Sequence, residues 1–267
     1  MACSLQDLQK TEYEILCKFA EFCEANDIVY GLSGGTLLGA IRHNGFIPWD
    51  DDIDVHMEIH EFKKLIRRIR KHPIPGMHFS WIDTEPEYPF YFARVRKCGT
   101  YMPQEKYASL DMHNGVWIDI IVYCGVPKSA ALLKLQQKLY LAFATMGRMF
   151  WYNQLDAQNE KPAEYNFKYR FMQNLSRKNK IRLRKLLFKM YTAIGSRRSE
   201  YISYNDWSLH PKEKLPRSFE TPVIKHVFGD REFNIPQNYD ASLTKQYGDY
   251  ITPVEYPSHT DLSRVEV

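Results

Sequence analysis

Several large functional classes are excluded by what this 267-residue chain lacks. It contains no C-x-x-C pair, and its five cysteines (Cys3, Cys17, Cys23, Cys98 and Cys124) are odd in number. That pattern argues against a disulfide framework and a zinc ribbon, and for reduced, mostly buried thiols. No run of about 18 apolar residues occurs, so no segment reads as a membrane-spanning helix. The opening stretch MACSLQDLQK has no basic region followed by an apolar run. No secretory signal is therefore expected, and the expected compartment is the cytoplasm. Excess charge is also scarce. Thirty-six Lys and Arg against 32 Asp and Glu leave +4, far from the basic surplus of a dedicated nucleic-acid binder. There is no internal repeat and no low-complexity tract.

What is present is a globular composition. Forty-four per cent hydrophobic residues can bury a full core, and the length suits one large domain or one domain with an appended part. Aromatics stand out: 18 Tyr, 15 Phe and 5 Trp make up 14% of the chain, somewhat more than a core needs.

Apolar residues at helical spacing predict an amphipathic helix over 5–26 and another over 61–71, the second with a basic outer face. Short strands are expected at 28–32, 52–57, 90–96 and 116–123, with a turn at Ser33-Gly34-Gly35 and a helix starting near Thr36. Residues 129–195 read as wholly helical, and regular structure after about 200 is hard to assign. Strands interleaved with helices, then helices, predict a mixed α/β (α+β) core with a helical addition. The expected division is a core at 1–128, a helical insertion at 129–200 and a C-terminal segment at 201–267 that packs back on the core, the three together expected to form one structural unit.

The informative stretch is YGLSGGTLLGAIRHNGFIPWDDDIDVHM, Tyr30 to Met57. The glycine turn follows an expected strand and opens an expected helix, where free N–H groups favour a phosphate. Asp50, Asp51, Asp52 and Asp54 then crowd five positions. On a strand, Asp52 and Asp54 share a face, and two such carboxylates repel unless a cation sits between them. Carboxylate oxygens of this kind suit Mg²⁺ or Mn²⁺. A lone D-x-D also describes a solvated acidic loop; the glycine turn and the apolar Ile53 and Val55 favour the metal. Asp119 lies in the apolar run GVWIDIIVYCGV, where an unpaired acid is costly to bury. A metal shared with Asp52 and Asp54 accounts for it, as does a strand-end Asp bonded to an amide or an Arg. A glycine turn, a strand with two acids and a later strand with a third together describe a nucleotidyltransferase-like site.

At these residues the chain resembles the LicD family of phosphocholine transferases. The resemblance rests on Tyr30, on G-T-L-L-G-A-I-R-H from Gly35 to His43, and on G-F-I-P-W-D-D-D-I-D from Gly45 to Asp54. W-I-D-I at 117–120, F-x-I-P-x-x-Y-D at 233–240 and Y-G-D-Y at 247–250 extend it more weakly. Fukutin and fukutin-related proteins carry a similar core. The resemblance implies a nucleotidyltransferase-like fold and transfer of phosphocholine from CDP-choline to a sugar hydroxyl of a lipopolysaccharide, teichoic acid or similar glycan. It implies Asp52, Asp54 and Asp119 as catalytic and metal ligands, and Gly34, Gly35 and Thr36 along the donor phosphates. Arg42, Trp49 and Arg94 are further candidates for substrate contact. The alternatives are transfer of ribitol or glycerol phosphate, or a non-catalytic module on the same fold.

The remaining features have plainer readings. His43, His56 and His60 suit local hydrogen bonding. The basic run Arg177 to Lys189 reads as a solvated helix face, with peripheral contact to anionic lipid as the alternative. Trp49, Trp81, Tyr88, Tyr91, Trp117, Trp151 and Tyr152 are candidates to face a quaternary ammonium near Asp52 and Asp54.

Overall fold

Ser4 starts the first helix. Its hydroxyl accepts from the Asp7 amide at 3.1 Å while the Asp7 carboxylate accepts from the Ser4 amide at 3.2 Å, a reciprocal cap. Helix α1, Leu5–Ala25, then buries Leu8, Ile15, Leu16 and Phe19 and stops at Asn26. The computed structural model describes residues 3–104, 107, 110–157, 174–195, 197–204, 214–254 and 260–267, with the backbone alone for 151–157.

The core is a mixed sheet. Strands β1 (Gly31–Leu32), β2 (Asp54–Glu58), β3 (Met77–Ser80), β4 (Ala93–Lys97) and β5 (Trp117–Gly125) run in the order β1-β2-β5-β4-β3. Only β2 and β5 are parallel. Beyond β4, the end of β5 pairs with β6 (Tyr201–Tyr204), which carries β7 (Leu215–Pro216). The period of two decides which side of β5 is dry. Ile118, Ile120 and Val122 are fully buried, whereas Asp119 and Ile121 are half-buried on the other face.

Helices cover the sheet. Helix α2, Gly34–His43, follows β1 directly, and α3, Ile59–Lys71, buries Phe62, Leu65, Ile66 and Ile69 with its basic residues outside. Helix α4, Ala130–Ala157, packs along α5, Arg177–Ile194. The C-terminal part supplies a hairpin, β8 (Val223–Phe228) with β9 (Arg231–Pro236), and helix α6, Tyr239–Tyr247. Its turn is fixed to the end of α2, where the Gly229 amide donates to the Asn44 carbonyl at 2.7 Å. A buried pair, His56 Nδ1 to Glu220 Oε2 at 3.1 Å, ties β2 to the segment before the hairpin.

Four expectations need correction. Asp52 is not on a strand: the ladder begins at Asp54. Before that point the chain is a loop, in which the Asp50 amide donates to the Ile47 carbonyl and the Asp51 carboxylate accepts from the Thr260 amide at 2.7 Å. The strand expected at 28–32 shrinks to Gly31–Leu32. Strand β3 follows the Pro73–Gly76 loop without being anticipated, because four residues of M-H-F-S carry too little alternation. The basic run is not wholly solvated either. Arg184 and Lys180 are buried, and Arg184 donates to the Phe90 carbonyl at 2.6 Å and also to that of Tyr88. Burial pushes the Arg184 guanidinium down to about 9.

Helix α2 and the acidic loop touch through Gly39. A Cβ there would clash with the Gly45 carbonyl and lie 3.1 Å from the Ile47 amide, both rigid backbone. Gly39→Ala should therefore cost about 1–3 kcal/mol by overpacking, read as a lowered urea midpoint with an unchanged slope.

Candidate active site

The site forms where the loop ends of β1, β2 and α2 meet. Gly34 has φ +54°, a left-handed conformation that glycine adopts without strain. That kink turns the chain from β1 into α2. The Ser33 amide donates to the Asp54 carbonyl at 3.0 Å, and the Asp54 amide donates to the Thr36 hydroxyl at 2.8 Å. Thr36 therefore braces the first residue of β2 and is buried. The glycines give room to carboxylates. A Cβ on Gly34 would lie 3.1 Å from Asp54 Oδ2, and one on Gly35 would lie 2.8 Å from Asp50 Oδ2. Negative charge at a helix N-terminus is favoured by the exposed N–H groups and the helix dipole.

Gly35, Asp50 and Asp54 line an open cleft of about 260 Å³, together with Asp51 and Asp52. Arg42 and Trp49 contribute from α2 and the loop that follows it, and Tyr247, Asp249 and Tyr250 from the C-terminal segment. Arg42 donates through Nη1 to the Tyr250 carbonyl at 3.2 Å, and its buried Nε has no protein partner.

Asp119 and Arg94 do not line the cleft. The sheet register places Asp54 beside Asp119 and Asp119 beside Arg94. Arg94 Nε donates to Asp119 Oδ1 at 2.7 Å, and Nη1 donates to Gln104 at 2.8 Å. The Arg94 guanidinium is sandwiched 4.1 Å from both the Phe90 and Trp117 ring centres. The expectation that Arg94 contacts the donor gives way to a different role: a planar cation held by two rings, fixing Asp119.

The carboxylates are crowded. Burial, then the charges of Asp52, Asp119 and Asp50, hold Asp54 well above the usual carboxylate range, with Arg94 opposing. Burial and Asp51 push Asp50 up to about 6. Glu12, buried on α1, is also pushed well above its ordinary value, by burial and then by Asp52, Asp51 and Asp50. Its Oε2 has no hydrogen-bond partner. Among the described residues, no three His, Cys, Asp or Glu side chains already close around one point. A hard divalent ion bound by one or two carboxylates and completed by phosphate oxygens needs no such cage. The donor set at the cleft is all carboxylate, the chemistry such an ion prefers, and added positive charge there would relieve the repulsion among the acids.

Of the residues expected at the site, the structure brings Gly35, Arg42, Trp49, Asp52 and Asp54 to the cleft. Gly34 abuts Asp54, Thr36 lies beneath it, and Asp119 with Arg94 stands one strand away. Tyr247, Asp249 and Tyr250 were not singled out as site residues. The Y-G-D-Y string marked their segment, but the cleft joins positions some 200 residues apart in sequence. Glu12 carried no signal, being one acid in an amphipathic helix.

The match to known proteins runs along the whole of this architecture. The profile described as "LicD/FKTN/FKRP, nucleotidyltransferase domain" matches residues 27–117. The lipopolysaccharide cholinephosphotransferase LicD of Haemophilus influenzae is 30% identical over 256 residues, covering 93% of this chain and 91% of that protein. The chain belongs to the LicD family. An uncharacterized protein of Rickettsia typhi is 42% identical over 83 residues, 27% of this chain and 25% of its own length. The LicD profile spans β1, α2 and the acidic loop and ends at Trp117, the first residue of β5.

The raised acid at Asp50 gives a pH-dependent test. Between about pH 4 and pH 6 the folded state holds a proton that the unfolded state has lost, so stability falls as pH rises through that window. Asp50→Asn removes the penalty. In EDTA, the variant should be more stable than the wild type by about 1–3 kcal/mol at pH 7. The gain should vanish below about pH 4; urea unfolding across pH checks it.

Proposed function

We propose that the chain transfers phosphocholine from CDP-choline to a sugar hydroxyl of a cell-surface glycan, with Mg²⁺ or Mn²⁺ as cofactor. The near-full-length likeness to a lipopolysaccharide cholinephosphotransferase carries this reading, and the motif acids Asp52 and Asp54 facing one cleft support it. Asp52 and Asp54 would hold the ion, with Asp119 beside them. Once bound, it would offset phosphate charge and stabilise the charge that develops in transfer.

The chain's own residues do the rest. The α2 N-terminus at Gly34 and Gly35 offers backbone N–H groups to the donor diphosphate. Arg42, which lines the cleft, brings a guanidinium charge to the phosphates. The acceptor oxygen attacks the phosphorus that bears choline, the bond from that phosphorus to the bridging oxygen breaks, and CMP departs with the electron pair. The hydroxyl proton passes to a carboxylate of the cleft.

Among the described residues, no helix is long and apolar enough to cross a membrane. CDP-activated donors and a lipid-linked glycan acceptor place the reaction at the cytoplasmic face of a membrane in this reading. Exposed Leu186 and Met190 beside exposed Arg182 and Lys189 on α5 give that face a peripheral contact.

The test is release of CMP from CDP-choline, CDP-ethanolamine, CDP-ribitol and CDP-glycerol, with acceptor glycan, in Mg²⁺ and in EDTA. CDP-choline with Mg²⁺ should give the highest kcat/KM. Asp52→Asn and Asp54→Asn should each lower it by about 100-fold or more without lowering the thermal midpoint. Full activity in either variant overturns the assignment of the acids; preference for a polyol donor overturns choline.

A further inference from the structure

Three aromatic residues line the cleft together with the acids. Trp49 comes from the loop after α2, Tyr247 ends α6, and Tyr250 follows the turn after it. The other described rings that the sequence offers for a cationic headgroup are consumed by the core: Trp81, Tyr88, Tyr91 and Trp117 are all buried. Trp151 and Tyr152 have side chains outside the described residues. We propose that Trp49 and Tyr247, braced by the buried Tyr250, form the subsite for the quaternary ammonium of the donor, with Asp249 as its fixed countercharge. This rests on the phosphocholine reading above and assigns the residues that distinguish choline from other alcohols.

Three observations carry it. First, Trp49 and Tyr247 keep accessible rings in the cleft, while Tyr250 is buried and its hydroxyl is already bonded. That hydroxyl donates to Asp240 Oδ1 at 2.7 Å, and the Tyr250 carbonyl is taken by Arg42. A polyol needs free hydrogen-bonding groups; a trimethylammonium has no N–H and is attracted by aromatic faces. Second, Asp249 is held in place and in its charged form. Its Oδ1 accepts from the amides of Ile251 at 3.2 Å and Thr252 at 3.3 Å, and its Oδ2 accepts from the Thr252 hydroxyl at 2.7 Å. Those bonds hold it below the usual carboxylate range. Third, the cleft's described lining is anionic, with Asp50, Asp51, Asp52, Asp54 and Asp249 against Arg42. A donor that carries its own positive charge at one end gains a charge–charge attraction from such a wall that an uncharged polyol does not.

The subsite therefore belongs to the C-terminal segment, and the phosphate side belongs to the core. Exchanging rings should alter which alcohol is accepted, not whether phosphate is. The experiment measures binding of CDP-choline and CDP-glycerol to the full chain by calorimetry, and kcat/KM for both. The variants are Trp49→Leu, Tyr247→Leu and Tyr247→Phe. Each Leu variant should lose about 2- to 30-fold in CDP-choline affinity, with CDP-glycerol affinity unchanged as the control for folding. Tyr247→Phe, which keeps a ring, should retain choline preference. If the wild type turns over CDP-choline and the Leu variants lose both ligands equally, or neither, the subsite is overturned and the phosphocholine reading stands. If the wild type binds and turns over no CDP-choline, both fall together.

Discussion

Two carboxylates side by side on parallel strands, at the half-buried end of a sheet, are the constraint around which this protein is arranged. Asp54 faces Asp119 in register, and Asp52 and Asp50 add charge from the loop. Such a cluster is unfavourable unless its surroundings offset it. The chain supplies offsets from several directions. The α2 N-terminus meets Asp54 and Asp50 across two glycines, and Arg94 pairs with Asp119. What is left over at Asp54 is a standing repulsion that a cation relieves, so the site is poised for the kind of cofactor its chemistry calls for.

The offsets are themselves held by structure some distance away. Arg94 keeps its place because Phe90 and Trp117 clamp its plane. The acidic loop keeps its shape because Gln9 donates to the Asp50 carbonyl at 2.9 Å and the Thr260 amide reaches Asp51. First helix and last residues thus both fix the loop between α2 and β2. The hairpin and α6 dock against the other side of α2, and they bring Tyr247, Asp249 and Tyr250 over the cleft. A site assembled from both ends of the chain is complete only when the whole chain is folded.

Much of this was legible in the residues themselves. Glycine turn, acid run and an Asp in an apolar strand are local signals, and each landed at or next to the cleft. The amphipathic stripes of α1 and α3 gave their buried faces correctly, because burial on a helix follows the 3.6 period. What the residues concealed was partnership. Arg94 looks like any cation near an acidic site; only the β4–β5 register shows that Asp119 already holds it. Asp52 alternates with Ile53 as a strand residue would, yet the ladder starts two positions later, after a loop held at Asp51 by the Thr260 amide. Arg184 sits in a run of basic residues whose pattern suggests solvent, and it points inward because two carbonyls of the 88–90 segment await it.

That inward arginine gives the α4–α5 pair a meaning beyond cover for the sheet. From Arg184 the connection runs through the Phe90 carbonyl to the Phe90 ring, from the ring to Arg94, and from Arg94 to Asp119. Loss of that arginine would leave the Tyr88 and Phe90 carbonyls without their buried donor, and the loosening would pass along the same connection to the acid beside the cleft. The two helices thus act as a keystone whose effect is felt two strands from where they pack.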